Sequence, residues 1–429
     1  MSNTLFTNVN IFDGASEQLV PGEVLVQGNR IKAVARRNES LPRDGATVVD
    51  AGGATLMPGL VNIHSHFTYN NGVDLKGLTA LPVEEHVLLA ASNVKMLHDH
   101  GFTGLIGAAS AKPRLDIVIR NAVNAGQIPG PRILAGTPEL TVSGGLADDR
   151  RMDQDIPSVS IIADGAEEFR KVVRVMIREG ADVVKFNNSG DSFCYPQASA
   201  ERNPMSEKEV RTICETTKNM GKHLAAHAHA DQSVRQCIKY GVEYIYHASF
   251  ATDATIEKLE KVKDRHWVAP AIAARYNTTY EAGDWGITTE VAEMIGNKRE
   301  LENGIQTMRK MHKAGIKVLP FGDYGFAWIP HGSDTRDFEH FVNLFGFEPW
   351  EVLRAATAYG GEAFTHGTSE KLGQIREGFL ADIILVDGNP LADLTLFQDR
   401  NNILAIMKDG QFHKSFTGRA ALPLSVAAE

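Results

Sequence analysis

The chain has 429 residues, 43% of them hydrophobic and 23% charged, and a formal net charge of −9. That length supports one large domain of roughly 300 residues with a smaller companion, and an acidic balance with scattered Lys and Arg argues against a nucleic-acid partner. No run of 18 apolar residues marks a membrane span, the opening MSNTLFTNVNIFDG lacks the basic-then-apolar order of a signal peptide, and Cys194, Cys214 and Cys237 form no CxxC, so the expected setting is a reducing cytoplasm without membrane contact.

Residues 1 to 57 read as short strands, LFTNVNIF, GEVLVQGNRIKAVA and TVVDAGGATLMPG, broken by Gly, Asn and Asp as in antiparallel sheet. The same texture returns in ADIILVDG at 381–388 and NILAIMKDGQFHKS at 402–415. Residues 1–57 and 366–429 are therefore expected to form a composite β-sandwich domain, with 58–365 inserted between them. Within the insert, eight apolar segments follow one another: VNIHSHF at 61–67, TGLIGAA at 103–109, RILAG at 132–136, ADVVKF at 181–186, HLAAHA at 223–228, YIYHA at 244–248, HWVAPAIA at 266–273 and KVLPFGD at 317–323. Amphipathic helical stretches such as EEHVLLAASNVKMLHDHG and GAEEFRKVVRVMIREG separate most of them. Several end on a C-capping Gly, and Ser206 and Asp253 are candidate N-caps. Short buried strands alternating with helices predict an α/β fold, a (β/α)8 TIM barrel; a doubly wound sheet satisfies the same count.

Polar residues collect at the C-terminal ends of these segments, which in such a barrel converge on the active-site face. His64 and His66 are two apart on a strand and share a face, so both imidazoles reach one borderline-soft metal. Lys185 closes an apolar strand, where an ammonium is costly to bury. One reading pairs it with a carboxylate or substrate; the other converts it by CO2 to a carbamate that bridges two cations. His227 and His247 end neighbouring strands and are candidates for a second metal, while His229 is a catalytic candidate, either a substrate contact that stabilises the oxyanion or an orienter of another ligand. His223, at the start of its strand, is expected to be structural. Asp323 closes the last segment, a candidate ligand of the first metal that takes a proton from metal-activated water and returns it to the leaving nitrogen.

These residues, with PGLVNIHSHF at 58–67, VVKF, HAHA, YHAS, PFGD and the C-terminal GQIREGFLADIILVDGNPL at 373–391, resemble the amidohydrolase superfamily over nearly the full length. The similarity is to its imidazolonepropionase-related and dipeptidase-like branch, and also to phenylurea, molinate and ochratoxin hydrolases. The resemblance implies a binuclear centre of two divalent ions, zinc first with manganese, cobalt or iron as alternatives. His64, His66, Lys185, His227, His247 and Asp323 would be its ligands, Lys185 being carboxylated on its Nζ. It implies hydrolysis of an amide, N-acyl amino acid, carbamate or urea bond by a metal-bridging hydroxide, and self-association of the chain. Dipeptidase action on Xaa-Pro or Xaa-Arg, cyclic amide hydrolysis and deamination are the enzymatic alternatives, and a metal-binding scaffold the non-enzymatic one. Tyr246-His247-Ala248-Ser249 and the residues around Asp323 depart from the common family pattern, which leaves the substrate open. The barrel loops are rich in aromatic residues, suiting an apolar or aryl ligand. From them Tyr195, Arg275, Tyr276, Tyr324, Trp328 and His331 are candidate substrate contacts, Arg275 for a carboxylate.

Overall fold

A computed structural model describes residues 3–37, 39–153, 158–193 and 199–416. Its centre is made of segments buried on both faces, as parallel strands covered by helices require. They are Leu60–Ser65, Phe102–Gly107, Arg132–Leu134, Val183–Asn187, His223–Ala228, Tyr244–His247 and Trp267–Ala269. The first three pair in parallel in chain order, as do the last four, and single parallel bridges join Gly136, just past the third, to Val183 of the fourth and Val268 to Val318. The order never reverses, which excludes the doubly wound sheet and its switch point; the chain forms a (β/α)8 barrel. The eighth segment is the irregular one. It keeps only the bridge at Val318, and then Phe321, Gly322 and Asp323 all take positive φ, at 80°, 134° and 58°. Two short strands that the periodicity did not reveal, Glu139–Thr141 and Ser160–Ile162, extend the sheet beside the fourth barrel strand.

The helices follow the predicted pattern. Ser206 caps Glu207–Asn219 in a reciprocal box with Glu209, and Gly180 and Gly241 close Ala166–Glu179 and Asp231–Tyr240 in left-handed conformation. Asp253 is instead the first residue of its helix, Asp253–Glu260, behind Thr252, and its carboxylate pairs with Lys310.

Both ends of the chain build one further sheet. Asn3–Ile11, Val20–Gln27 and Arg30–Arg36 form an antiparallel meander, and Thr47–Asp50 and Thr55–Pro58 lie parallel to the first of these. Ile383–Val386 pairs antiparallel with Thr55–Pro58 and continues into Ile403–Lys408 and Gln411–Lys414. The eight strands surround an apolar cluster of their own that includes Phe6, Val24, Leu56, Ile383 and Met407. Among the described residues no helix is long and apolar enough to cross a membrane.

The two sheets are tied by a forked ion pair. Arg132, at the start of the third barrel strand, reaches Asp382 through Nε at 2.7 Å and Nη2 at 3.0 Å, and the Asp382 side chain is fully buried. Arg132 is partly exposed and also pairs with Asp409 at 2.6 Å, so removing Asp382 costs the buried fork but leaves the guanidinium one partner. Asp382→Ala is therefore expected to destabilise the fold by roughly 2 kcal/mol, read as a lower urea midpoint at unchanged slope; an unchanged midpoint would show that the pair does not hold the sheets together.

Candidate metal centre

The ends of the barrel strands bring two groups of metal-ligating side chains side by side. His64 and His66 flank Ser65 on the first strand, and their Nε2 atoms lie 3.0 Å and 3.2 Å from Asp323 Oδ1. His227, His229 and His247 form the second group, with ring centroids 4.2 to 4.8 Å apart. Within each group one nitrogen or carboxylate oxygen per residue falls inside 4.8 Å of the others. The groups adjoin: His64 and His247 have centroids 5.2 Å apart, and His247 Nδ1 is 3.8 Å from Asp323 Oδ2.

Local backbone geometry aims these groups. His247 and Ala248 take φ of 73° and 55° where the sixth strand leaves the ladder, and Asp323 sits in the left-handed turn after the eighth segment. The turn is held by the buried Asp337, which accepts hydrogen bonds from Phe321 N at 2.6 Å, Ala273 N at 3.2 Å and the Tyr324 hydroxyl at 3.2 Å. Burial pushes the Asp337 carboxyl up to about 7 against those bonds. Tyr246 stacks on His64 at 3.7 Å, fixing that ring from behind.

The donors fit metal ions. His64 Nδ1, His66 Nδ1 and His247 Nδ1 are buried without a hydrogen-bond partner, an expensive state unless something else coordinates the rings. Burial lowers His64 to about 4 and pushes His247 well below the usual range, so both rings are neutral, as ligation needs. Burial pushes the Asp323 carboxyl up, but His64 and His247 and the hydrogen bonds from His64 and His66 outweigh it and hold it well below the ordinary value. Lys185 is almost fully buried between the groups, its Nζ 3.5 Å from Glu139 Oε1 and 5.2 Å from the Tyr246 ring centre. Two candidate clusters of this kind support a binuclear divalent-metal centre and suit metal-dependent hydrolysis of a C–N bond.

A small cavity of about 50 Å³ opens over the centre, bordered by His66, His227, Asp323, Arg275, Phe193 and Phe326 among others. Of the predicted substrate contacts among the described residues, Arg275 alone borders it. Tyr276 packs on Tyr280 and His340, the Tyr324 hydroxyl bonds to Asp337, Trp328 Nε1 donates to Thr278 at 2.9 Å, and His331 Nε2 lies 3.2 Å from the Tyr69 carbonyl. Their rings hold the loops together, because Tyr, Trp and His partner their polar atoms when buried. Tyr195 lies outside the described residues. His229 does not border the cavity either: it is sealed behind His247, its Nδ1 3.0 Å from Ser249 Oγ and its Nε2 3.3 Å from Asp191 Oδ2. His223 faces Glu243 and His366 at the opposite end of its strand.

Three carboxylates of the site were not anticipated from the sequence. Glu139 partners Lys185, while Asp191 and Glu300 form with His229 a third buried group within ligand distance. Asp191 and Glu139 each follow a barrel strand, a placement that the rule used for Asp323 would also have flagged. Glu300 lies in the helix Asn297–Lys313, whose many charged residues hide it.

Comparison with known proteins agrees with this geometry. The amidohydrolase family profile matches residues 55–412, and the chain belongs to that family. It is 26% identical to the ochratoxinase of Aspergillus niger over 385 residues, 84% of this chain and 75% of that protein. A solved amidohydrolase superposes with a TM-score of 0.84 at 26% identity, over 97% of this chain and all of the other. A Xaa-Pro dipeptidase with methionine bound in its active site shares the fold, with a TM-score of 0.83 at 24% identity over 96% of this chain and all of the other.

The turn carrying Asp323 tolerates no side chain at Gly322. Its φ is 134°, and a Cβ there would lie 2.7 Å from His64 Nδ1 and 3.0 Å from the Ala271 Cβ. Gly322→Ala is expected to displace His64 from Asp323 and reduce bound metal by at least one ion per chain, measured by elemental analysis of the purified protein. Full metal content would show that the turn yields without cost to the site.

Proposed function

We propose that this protein hydrolyses a carbon–nitrogen bond of a small molecule, an amide, N-acyl amino acid, carbamate or urea, with two divalent ions of which zinc is the first choice. The observation that carries the reading is the pair of adjoining buried donor groups, with partnerless ring nitrogens, beneath a cavity with an apolar wall. The family membership and the likeness to an enzyme named for ochratoxin support it.

In this reading His64, His66 and Asp323 would hold one ion, His227 and His247 the other, and Lys185, carboxylated on Nζ, would be a further ligand; as the unmodified amine its Nζ lies 3.5 Å from Glu139 Oε1. When bound, the ions supply an activated water and polarise the scissile carbonyl. Asp323 receives the proton of the attacking water and delivers it to the departing nitrogen, for which its place at the cavity edge suits it. His229 acts from behind, as a ring stacked 4.2 Å from His247 and tied to Ser249, so it keeps the second donor group in place instead of touching substrate. Leu75, Phe193 and Phe326 shield the reacting groups from bulk water and offer a surface to an apolar group of the substrate.

The test combines metal analysis with a screen of the metal-replete protein against anilides, N-acyl amino acids, dipeptides, phenylureas and thiocarbamates. Two ions per chain and turnover of at least one class are expected; fewer than two ions and no hydrolysis would refute the reading. Lys185→Ala is expected to lose that ligand and lower kcat/KM by about 100-fold or more, whereas two retained ions at a near-normal rate would dismiss the carboxylated lysine.

A further inference from the structure

Beside the second donor group lies a buried charged cluster that the ligand set does not include. Asp191, on the loop after the fourth barrel strand, His229, Arg275 and Glu300 are each at most 4% exposed. The Asp191 carboxylate is shared between two tasks. Its Oδ1 accepts from Phe193 N at 2.9 Å and from Arg275 Nη1 at 3.2 Å, and that Nη1 is held in turn by Glu300 Oε2 at 2.9 Å. Its Oδ2 faces the second donor group, 3.3 Å from His229 Nε2 and 3.6 Å from His227 Nε2. His227 Nε2 also lies 2.9 Å from the Gly190 carbonyl. A carbonyl only accepts, so Nε2 carries the proton and Nδ1 keeps its lone pair. His229, with Nδ1 3.0 Å from Ser249 Oγ, stacks on His247 at 4.2 Å with the rings 10° from parallel. One carboxylate thus reaches both rings of the second group, His227 along its Nε2 edge and His247 through the ring of His229. In the first group, His64 and His66 turn instead to Asp323.

We propose that Asp191 is a positioning residue for the second ion, holding His227 and, through His229, His247 in the orientation that ligation needs, and that Arg275 and Glu300 fix its carboxylate there. The inference rests on the two-metal hydrolase reading and deepens it: the two ions depend unequally on the surrounding protein, and the first does not rely on Asp191. A carboxylate on the far edge of a ligating imidazole fixes the ring's tautomer and direction and makes it a better donor. Arg275 supplies the charge that lets Asp191 and Glu300 stay buried within ligand distance of each other. Substituting Arg275 itself would mix the two sites, because its Nη2 lies 3.6 Å from Asp323 Oδ2 in the first group.

Asp191→Asn and Glu300→Gln each keep the shape of the side chain and remove its charge. The metal-free proteins are titrated with zinc against a chelating dye to read two affinities per chain, and His64→Ala and His247→Ala assign each affinity to its donor group. Asp191→Asn is expected to weaken the second ion by about tenfold or more and leave the first within about twofold. Glu300→Gln is expected to act on the same ion to a smaller degree. A carboxylate that only braced the fold would weaken both ions alike, or lower the urea midpoint and leave both affinities as they are; either result overturns the proposal. A second ion untouched by Glu300→Gln overturns the part given to Arg275 and Glu300. If Asp191→Asn does not fold, Glu300→Gln decides by the same criterion, selective weakening supporting the proposal and equal or absent weakening overturning it. Failure of the hydrolase reading looks different. A wild type that binds two ions and cleaves no carbon–nitrogen bond ends that reading while the affinities still decide the role of Asp191; a wild type that binds fewer than two ions ends both.

Discussion

The structure turns on the cost of removing ionisable groups from water at the mouth of an apolar barrel. Five histidines, a lysine, an arginine and four carboxylates are gathered where the strands end, most of them with only a few per cent of their surface exposed. Such groups persist only when each charge faces an opposite charge, a hydrogen bond or a cation. The arginine and lysine have their carboxylates. Nitrogens of His64, His66 and His247 are buried without a hydrogen-bond partner, and the same imbalance that would be a defect in a core is what a metal centre requires. The surrounding architecture serves that balance: parallel strands lift the side chains to one level, and left-handed backbone at His247 and Asp323 turns them inward.

The parts legible in the sequence were those written in local pattern. Alternating strands and helices announced the barrel, two histidines spaced by one residue announced a shared face, and the return of the β texture near residue 381 announced a sheet made from both ends. What stayed hidden depends on contacts between distant residues. Arg275 meets Asp191 and Glu300 across 84 and 25 positions, and no periodicity encodes that meeting. The loop aromatics misled for a related reason. A ring near the active-site face has the same composition whether it lines the cavity or braces the loop; only the partner of its polar atom separates the cases, as Asp337 does for Tyr324 and Thr278 for Trp328.

Substrate choice and metal binding use one scaffold but different layers of it. The donor groups stand on strand ends, where position is set by the hydrogen-bonded ladder. The residues that give the cavity its charge and apolar wall stand largely on loops, on the short strand Glu139–Thr141 and on the helix Ile272–Tyr280, and apart from Asp191 and Arg275 can change without moving the donors. That division lets the cavity lining vary while the two donor groups keep their places on the strand ends.

The sheet shared by both chain ends also dictates an order of assembly. Thr55–Pro58 finds its antiparallel partner in Ile383–Val386, more than 300 positions later, and the first barrel strand begins at Leu60. During synthesis the early strands therefore wait with one edge unpaired and part of their apolar cluster uncovered until nearly the whole barrel has emerged. An open edge beside exposed apolar side chains is a template for another chain, so this protein's exposure to aggregation is concentrated in the interval before its last strands arrive, and lies far from the chemistry that those strands never touch.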